Sequence, residues 1–166
     1  MKFEYQLTRK HLADFNAYYY WKNKILSAIF SAIVTGAFFF IFLSSHRNFT
    51  VERGLLCSGI FIAIYLFSIH LGLKKTGKYY RENGPTLARK EIELTDKYFM
   101  SSDSYGESKT AWASFTHLET GKHSIYLFIE SMTAIIIPKT IFADERSCQQ
   151  FIDYINERLA TTSQAQ

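Results

Sequence analysis

The chain has 166 residues, of which 48% are hydrophobic and 20% charged, and its formal net charge is +4. The charge is uneven: residues 1–90 carry thirteen lysines and arginines against four acidic residues, whereas the rest of the chain carries six against eleven. An acidic C-terminal part lacks the basic face that nucleic-acid binding requires, so we expect no nucleic-acid partner.

Residues 1–24 are predicted to form a strand followed by an amphipathic helix. Phe3, Tyr5 and Leu7 alternate with polar residues, which is the period of a half-buried strand. Thr8 is a suitable N-cap for the helix that follows. Because a strand needs a sheet to join, we expect it to pair with the C-terminal domain. The alternative is an amphipathic segment that lies on a surface without a sheet partner.

Residues 25–73 are predicted to form a transmembrane helical hairpin with spans at 25–45 and 54–73. At about 1.5 Å per residue, each span is about 30 Å long, which matches the hydrocarbon core of a bilayer. Neither span has the polar face of a soluble amphipathic helix, which argues against two buried helices in a soluble protein. The first span is also longer than the apolar part of a signal peptide and starts farther from the N-terminus.

Basic and aromatic residues flank both spans on one side. Lysine and arginine gather on the cytoplasmic side of a membrane, so both termini should be cytoplasmic and the link 46–53 should face outward. The basic flanks should also meet the anionic headgroups of the bilayer. The predicted membrane-interface residues are Trp21, Lys22, Lys24, Lys74, Lys75, Lys78 and Arg81.

Small residues recur along both spans and are candidates for helix packing. Rows of small residues let helix backbones approach closely in lipid. The contact could lie within the hairpin or between two copies in a homo-oligomer, and an incidental run of small residues is the third reading. The predicted packing residues are Ala28, Ala32, Gly36, Gly59 and Ala63.

Residues 74–90 are predicted to be a basic juxtamembrane linker, with a helical extension that ends in a turn at 83–85. From residue 91 to 160, short runs of period two predict an antiparallel meander followed by one amphipathic helix, capped by Asp144. The apolar stripe of that helix should plug an open end of a PH-like sheet or barrel. The fold class is thus a membrane helical hairpin plus an α+β cytoplasmic domain, completed by the N-terminal strand, with a flexible tail at 161–166.

Several of these residues resemble a known family. Trp112, the segment Ile136-Ile137-Pro138-Lys139 and then Phe142 and Phe151 look like the YcxB-like family of bacterial membrane proteins. The resemblance extends over nearly the whole chain, including two spans and a small PH-like domain. It implies a multi-pass protein of the bacterial cytoplasmic (inner) membrane. It implies architecture more than activity, because the family has no established biochemical function.

Candidate chemistry is sparse. The five histidines show no ligand spacing, the two cysteines form no metal or redox motif, and no phosphate-binding glycine loop or nucleophile–base pair appears. We therefore predict no enzyme, no catalytic residue, no cofactor and no metal. The candidate recognition residues are Trp112, Pro138, Lys139 and Phe142. Trp112 and Phe142 could line a pocket or fill the core, and Lys139 could meet an anionic headgroup or remain solvated at its turn.

Three functions remain open at this point. The preferred one is a membrane-anchored binding or scaffold protein that presents its PH-like domain, through an exposed edge strand, to an unknown protein, peptide or lipid. The alternative is an immunity or stress protein whose hairpin protects against a membrane-targeting toxin. An enzyme is the least favoured, and it would depend on His70, an ionisable residue within a span, together with His117 and Lys139.

Overall fold

The computed structural model describes residues 1–45, 50–82, 84–131 and 133–163. The chain forms two compact units, Met1–Phe15 with Gly77–Gln166, and Asn16–Thr76. In chain order the helices and strands are β1 (Lys2–Gln6), α1 (Arg9–Ser44), α2 (Val51–Lys75), β2 (Arg89–Leu94), β3 (Tyr98–Asp103), β4 (Gly106–Ala111), β5 (His117–Thr120), β6 (Ser124–Phe128), β7 (Ala134–Pro138) and α3 (Glu145–Ser163). Short 3-10 helices lie at Thr76–Tyr79, Pro85–Leu87, Trp112–Ser114 and Lys139–Ile141.

The strands form two antiparallel sheets, ordered β1-β2-β3-β4 and β5-β6-β7. The N-terminal strand is part of the first sheet, since Lys2 lies opposite Glu93 and Gln6 lies opposite Arg89. The prediction that this strand crosses the chain to complete the C-terminal domain is confirmed. So is the fold class: two long apolar helices with two open antiparallel sheets and one C-terminal helix, in a PH-like α+β arrangement.

The first sheet has one apolar and one polar face, as the period-two pattern predicts. Tyr5, Ile92 and Phe99 point into the core, where they are at most 6% exposed. On the solvent side, Lys2 forms ion pairs with Glu91 and Glu93 at 3.7 and 3.2 Å. This alternation fixes the register, because a shift of one residue would bring the charged row into the core.

The central strand of the second sheet, β6, is buried on both faces. All five residues of β6 are buried, including Ile125 on one face and Tyr126 and Phe128 on the other. The first turns of α1 cover the second face: the Phe15 ring centroid lies 5.1 Å from that of Tyr126 and 6.2 Å from that of Phe128. The start of α1 is therefore part of the folded domain.

Helix α3 closes the other side of this core. The Ser147 N–H donates to Asp144 Oδ1 at 2.7 Å, and this hydrogen bond lowers the pKa of the Asp144 carboxyl. Asp144 is thus the N-cap, as predicted. Phe151 and Ile155 are at most 1% exposed and form the predicted apolar stripe with their neighbours. The helix continues to Ser163, so the first half of the predicted tail is helical, while residues 164–166 lie outside the described residues.

Both α1 and α2 are long and apolar enough to cross a membrane, and 17% and 11% of their most apolar windows are buried. Large apolar side chains cover their surfaces, with Leu26 80%, Phe30 71% and Phe38 70% exposed. Surfaces of this kind indicate membrane association, because soluble proteins rarely leave a large contiguous apolar area in water. The predicted link between the spans falls largely on residues 46–49, which lie outside the described residues.

The two long helices contact each other along one row of small residues in α1. Ala28 and Ala32 are 3% and 2% exposed. The hydroxyls of Ser31 and Tyr65 are 2.9 Å apart. A Cβ atom added to Gly36 would lie 2.6 Å from Ile62 Cδ1, so the Ile62 side chain packs directly against the Gly36 backbone.

The prediction that Gly59 and Ala63 belong to this contact needs correction, since both are exposed. The buried residues of α2 are Gly54 and Ser58. Each residue turns a helix by about 100°, so Gly59, one position after Ser58, points well away from the contact. A Cβ atom added to Gly59 would have no neighbouring atom within 4 Å.

This difference predicts opposite outcomes for the same substitution at two glycines. Gly36→Leu should destabilise the helix pair by about 1–3 kcal/mol, because the new side chain collides with Ile62. Gly59→Leu is the matched control and should leave stability almost unchanged. Thermal unfolding of the full chain in detergent measures both, and equal destabilisation by the two variants would contradict the assigned contact.

Candidate functional site

Basic side chains from three separate segments converge on one cleft of about 340 Å³ within the first unit. We refer to it as the basic cleft. Its segments are the first turns of α1, the turn between β5 and β6, and the 3-10 helix after β7. Its lining residues are Lys10, His11, Asp14, Lys122, His123, Lys139 and Thr140.

The β5–β6 turn places two of these residues. The Gly121 N–H donates to the Ser124 carbonyl at 2.8 Å and closes the turn, so Lys122 and His123 lie at its tip. A Cβ atom on Gly121 would come within 2.7 Å of the Tyr126 ring, so the ring packs directly on this backbone. The tip is therefore held against the sheet rather than extended into solvent.

The segment after β7 is tied to the same turn. The Lys139 N–H donates to the His123 carbonyl at 3.0 Å. Pro138, the preceding residue, is fully buried and has an extended backbone, so the chain turns sharply at the start of the 3-10 helix. These two features hold Lys139 beside the β5–β6 turn.

The start of α1 supplies the third wall. The His11 N–H donates to Thr8 Oγ1 at 3.4 Å, and the Thr8 N–H donates to His11 Nδ1 at 3.2 Å. Thr8 therefore caps α1, as predicted, while His11 caps the Thr8 amide in return. Since Nδ1 accepts a hydrogen bond, the neutral His11 ring carries its proton on Nε2, which is left as a donor.

The electrostatics of the cleft favour an anion. Partial burial lowers the pKa of His11, the Asp14 carboxylate opposes this shift, and the charges of Lys10 and His123 add to it. The lowered pKa favours the neutral form of the His11 ring. Three lysines and one acidic residue, Asp14, line the cleft, and Asp14 Oδ2 is buried without a hydrogen-bond partner in the described part of the chain.

The structure separates the predicted recognition residues. Trp112 is 4% exposed, and its Nε1 donates to the Thr95 carbonyl at 2.9 Å. Phe142 belongs to another aromatic cluster, where its ring centroid is 5.3 Å from that of Phe3 and 5.0 Å from that of Phe151. Trp112 thus fills the core, whereas Phe142 is half-buried and packs in a different aromatic cluster. Of the four residues proposed for recognition, Lys139 lines the basic cleft.

The predicted membrane-interface residues are mostly accessible. Trp21 is half-buried, and the five lysines and the one arginine of this group are exposed. The histidines considered for catalysis do not line the basic cleft. His117 is held by Glu119, with Nε2 at 3.2 Å from Oε1, and stacks on Phe128. Among the described residues, no group of three or more His, Cys, Asp and Glu side chains is placed to hold a metal ion.

Sequence reasoning found Lys139 but missed its neighbours. Neither Lys10 nor Lys122 stands in a local sequence pattern that indicates a binding site. Their convergence depends on α1 packing over β6. The one local signal for this contact is Phe15, a large apolar residue that precedes the polar flank of the first span.

Comparison with known proteins gives one result. The family model described as YcxB-like protein matches residues 94–155, from the end of β2 into α3. Neither the curated proteins nor the solved structures give a match. The matched range includes Lys122, His123 and Lys139, whereas Lys10 and His11 precede it. Residues 94–155 of this chain match the YcxB-like family model, and the predicted resemblance to that family is confirmed over this range.

Proposed function

We propose that this protein is a membrane-anchored binding protein that presents its YcxB-like domain at the cytoplasmic face of the bacterial inner membrane. The observation that carries the proposal is the position of the apolar hairpin in the chain. It is inserted between β1 and β2, which are neighbours in one sheet. Because Gln6 pairs with Arg89, the chain leaves the domain and returns to it at adjacent positions.

This insertion connects the domain to the apolar helices at two points of the chain, after β1 and before β2. A domain attached by a single flexible linker could drift far from the bilayer, whereas two short connections limit its reach. Loss of either connection would also remove β1 or separate it from its partner strand. Anchoring and folding are therefore coupled in this chain.

The charges flanking the spans support the orientation. Lys22 and Lys24 precede the first span, and a run of basic residues from Lys74 to Lys90 follows the second. The link between the spans has only Arg47 and Arg53, opposed by Glu52. Since lysine and arginine accumulate on the cytoplasmic side, this distribution favours cytoplasmic termini and a cytoplasmic domain.

An exposed sheet edge supports binding as the domain's role. β4 is at one edge of the first sheet, and its residues Gly106–Lys109 are all exposed. An edge strand offers unpaired backbone groups to which an extended peptide can add. Charged side chains such as Lys109 limit uncontrolled pairing with other edges while leaving room for a specific partner.

Site-specific cross-linking in intact cells tests this proposal. A photoreactive residue at Lys109 on β4 should capture a reproducible partner, whereas one at Lys97, an exposed lysine in the β2–β3 turn, should not. The two positions are matched in residue type, exposure and domain. Capture of nothing at Lys109, or of the same proteins with equal yield at both positions, would contradict the proposed role of the edge.

A further inference from the structure

We propose that the basic cleft is a binding site for a phosphate-bearing anion, a chemical class shared by phospholipid headgroups and small phosphate esters. The inference rests on the proposed function, because it names the ligand class of the domain that the hairpin holds at the membrane. It adds a site in the domain that is separate from the β4 edge.

The donors of the cleft match the acceptors of a phosphate group. Lys10, Lys122 and Lys139 supply ammonium groups, each with three N–H donors, and His11 supplies its Nε2–H. A phosphate has only acceptor oxygens when ionised, and charge-assisted hydrogen bonds to such oxygens are about twice as strong as neutral ones. An apolar ligand or a cation would gain nothing from these groups.

The three lysines share one cleft in which Asp14 is the single acidic lining residue. No ion pair to any of them is found in the described residues. The paired basic residues of the same unit are Lys2, Arg9, Arg89, Lys90 and Arg158, each with a carboxylate partner. Like charges held close together repel one another, and a bound anion would relieve that repulsion.

The cleft is also held in place before any ligand arrives. The Lys139–His123 backbone hydrogen bond joins two of its walls. The packing of Phe15 on Tyr126 and Phe128 joins the third. A preorganised arrangement of this kind binds more tightly than flexible lysines, because less conformational freedom is lost on binding.

Titration of the full chain in micelles of a neutral detergent tests the inference. The probes are inorganic phosphate, with chloride at matched ionic strength as the reference, and dihexanoyl phosphatidylglycerol. The NMR signals of the His11 and His123 rings report binding within the cleft. Phosphate or the lipid should shift both signals in a saturable manner, and chloride should not.

Two matched double variants decide whether the cleft is responsible. Lys122→Gln with Lys139→Gln should weaken binding by about tenfold or more, since charged hydrogen bonds are lost. Lys97→Gln with Arg146→Gln removes the same charge from exposed positions elsewhere on the domain and should change the affinity by less than about twofold. If both probes bind and both depend on Lys122 and Lys139, a free phosphate group is sufficient for binding to the cleft. If only the lipid binds, the ligand is a phospholipid headgroup.

The inference is overturned if neither probe shifts the histidine signals, or if the two double variants weaken binding equally. These outcomes are independent of the proposed function, because membrane orientation and the β4 contact are measured by topology reporters and cross-linking. A failed titration with the expected topology would remove the phosphate site alone.

Discussion

Phe151→Ala is expected to destabilise the domain by about 3–5 kcal/mol, the usual cost of removing a buried aromatic side chain. Phe151 is 1% exposed on the inner face of α3. Its ring centroid lies 5.4 Å from that of Phe3 on β1 and 5.0 Å from that of Phe142. The substitution therefore opens a cavity where the N-terminal strand, the segment after β7 and the C-terminal helix meet.

A loss of this size is large compared with the total stability of a single domain, about 5–15 kcal/mol. Chemical denaturation of the full chain in detergent, followed by tryptophan fluorescence, measures it, because Trp112 is buried in the same core. Tyr79→Ala is the control, since that side chain is 88% exposed. It should change the free energy of unfolding by no more than about 0.5 kcal/mol. Similar losses in the two variants would contradict the assigned core.

Gly77→Ala is expected to destabilise the domain by about 1–3 kcal/mol. A Cβ atom at this position would lie 2.3 Å from the carbonyl oxygen of Arg9, in the first turn of α1. The obstructing atom belongs to the backbone, so no side-chain rotation can relieve the clash. The Arg9 side chain also contacts the segment from Gly77 to Glu82. Arg9 Nε donates to the Tyr80 carbonyl at 3.2 Å, and Arg9 Nη1 lies 2.9 Å from the Glu82 carboxylate.

Gly72→Ala provides a control with the opposite sign. Gly72 lies within α2, and no atom approaches its added Cβ within 4 Å. Alanine is the better helix former by about 1 kcal/mol, so this variant should be neutral or more stable than the natural chain. Thermal unfolding of both variants in the same detergent measures the difference. A Gly77→Ala variant as stable as Gly72→Ala would show that the close approach to Arg9 is absent.

The main elements of this fold could be predicted from local patterns in the sequence. The alternation of Phe3, Tyr5 and Leu7 predicts a strand, and a strand requires a sheet, so its pairing with β2 followed by argument. The apolar runs predict long helices because no polar face interrupts them. The cap at Asp144 and the stripe around Phe151 follow from residue type and spacing alone.

Features that depend on packing between distant segments could not be predicted in the same way. The sequence pattern predicts the small-residue row in α1, but it predicts the partner face on α2 at Gly59, one residue after the buried Ser58. A helix face shifts by about 100° per residue, and a run rich in apolar residues does not mark which side meets the neighbour. Nor did any local pattern place Lys10 beside Lys122 and Lys139, because their meeting depends on Phe15 packing on β6.

The most direct test of the account is the membrane topology of the full chain. Alkaline phosphatase and green fluorescent protein can be fused in turn at Asn48, in the link between the spans, and at the C-terminus. We predict phosphatase activity without fluorescence at Asn48 and fluorescence without phosphatase activity at the C-terminus, since the proposed orientation has the link facing outward and the domain facing the cytoplasm. Both fusions reporting the same side of the membrane would contradict the hairpin and, with it, the placement of the YcxB-like domain at the cytoplasmic face.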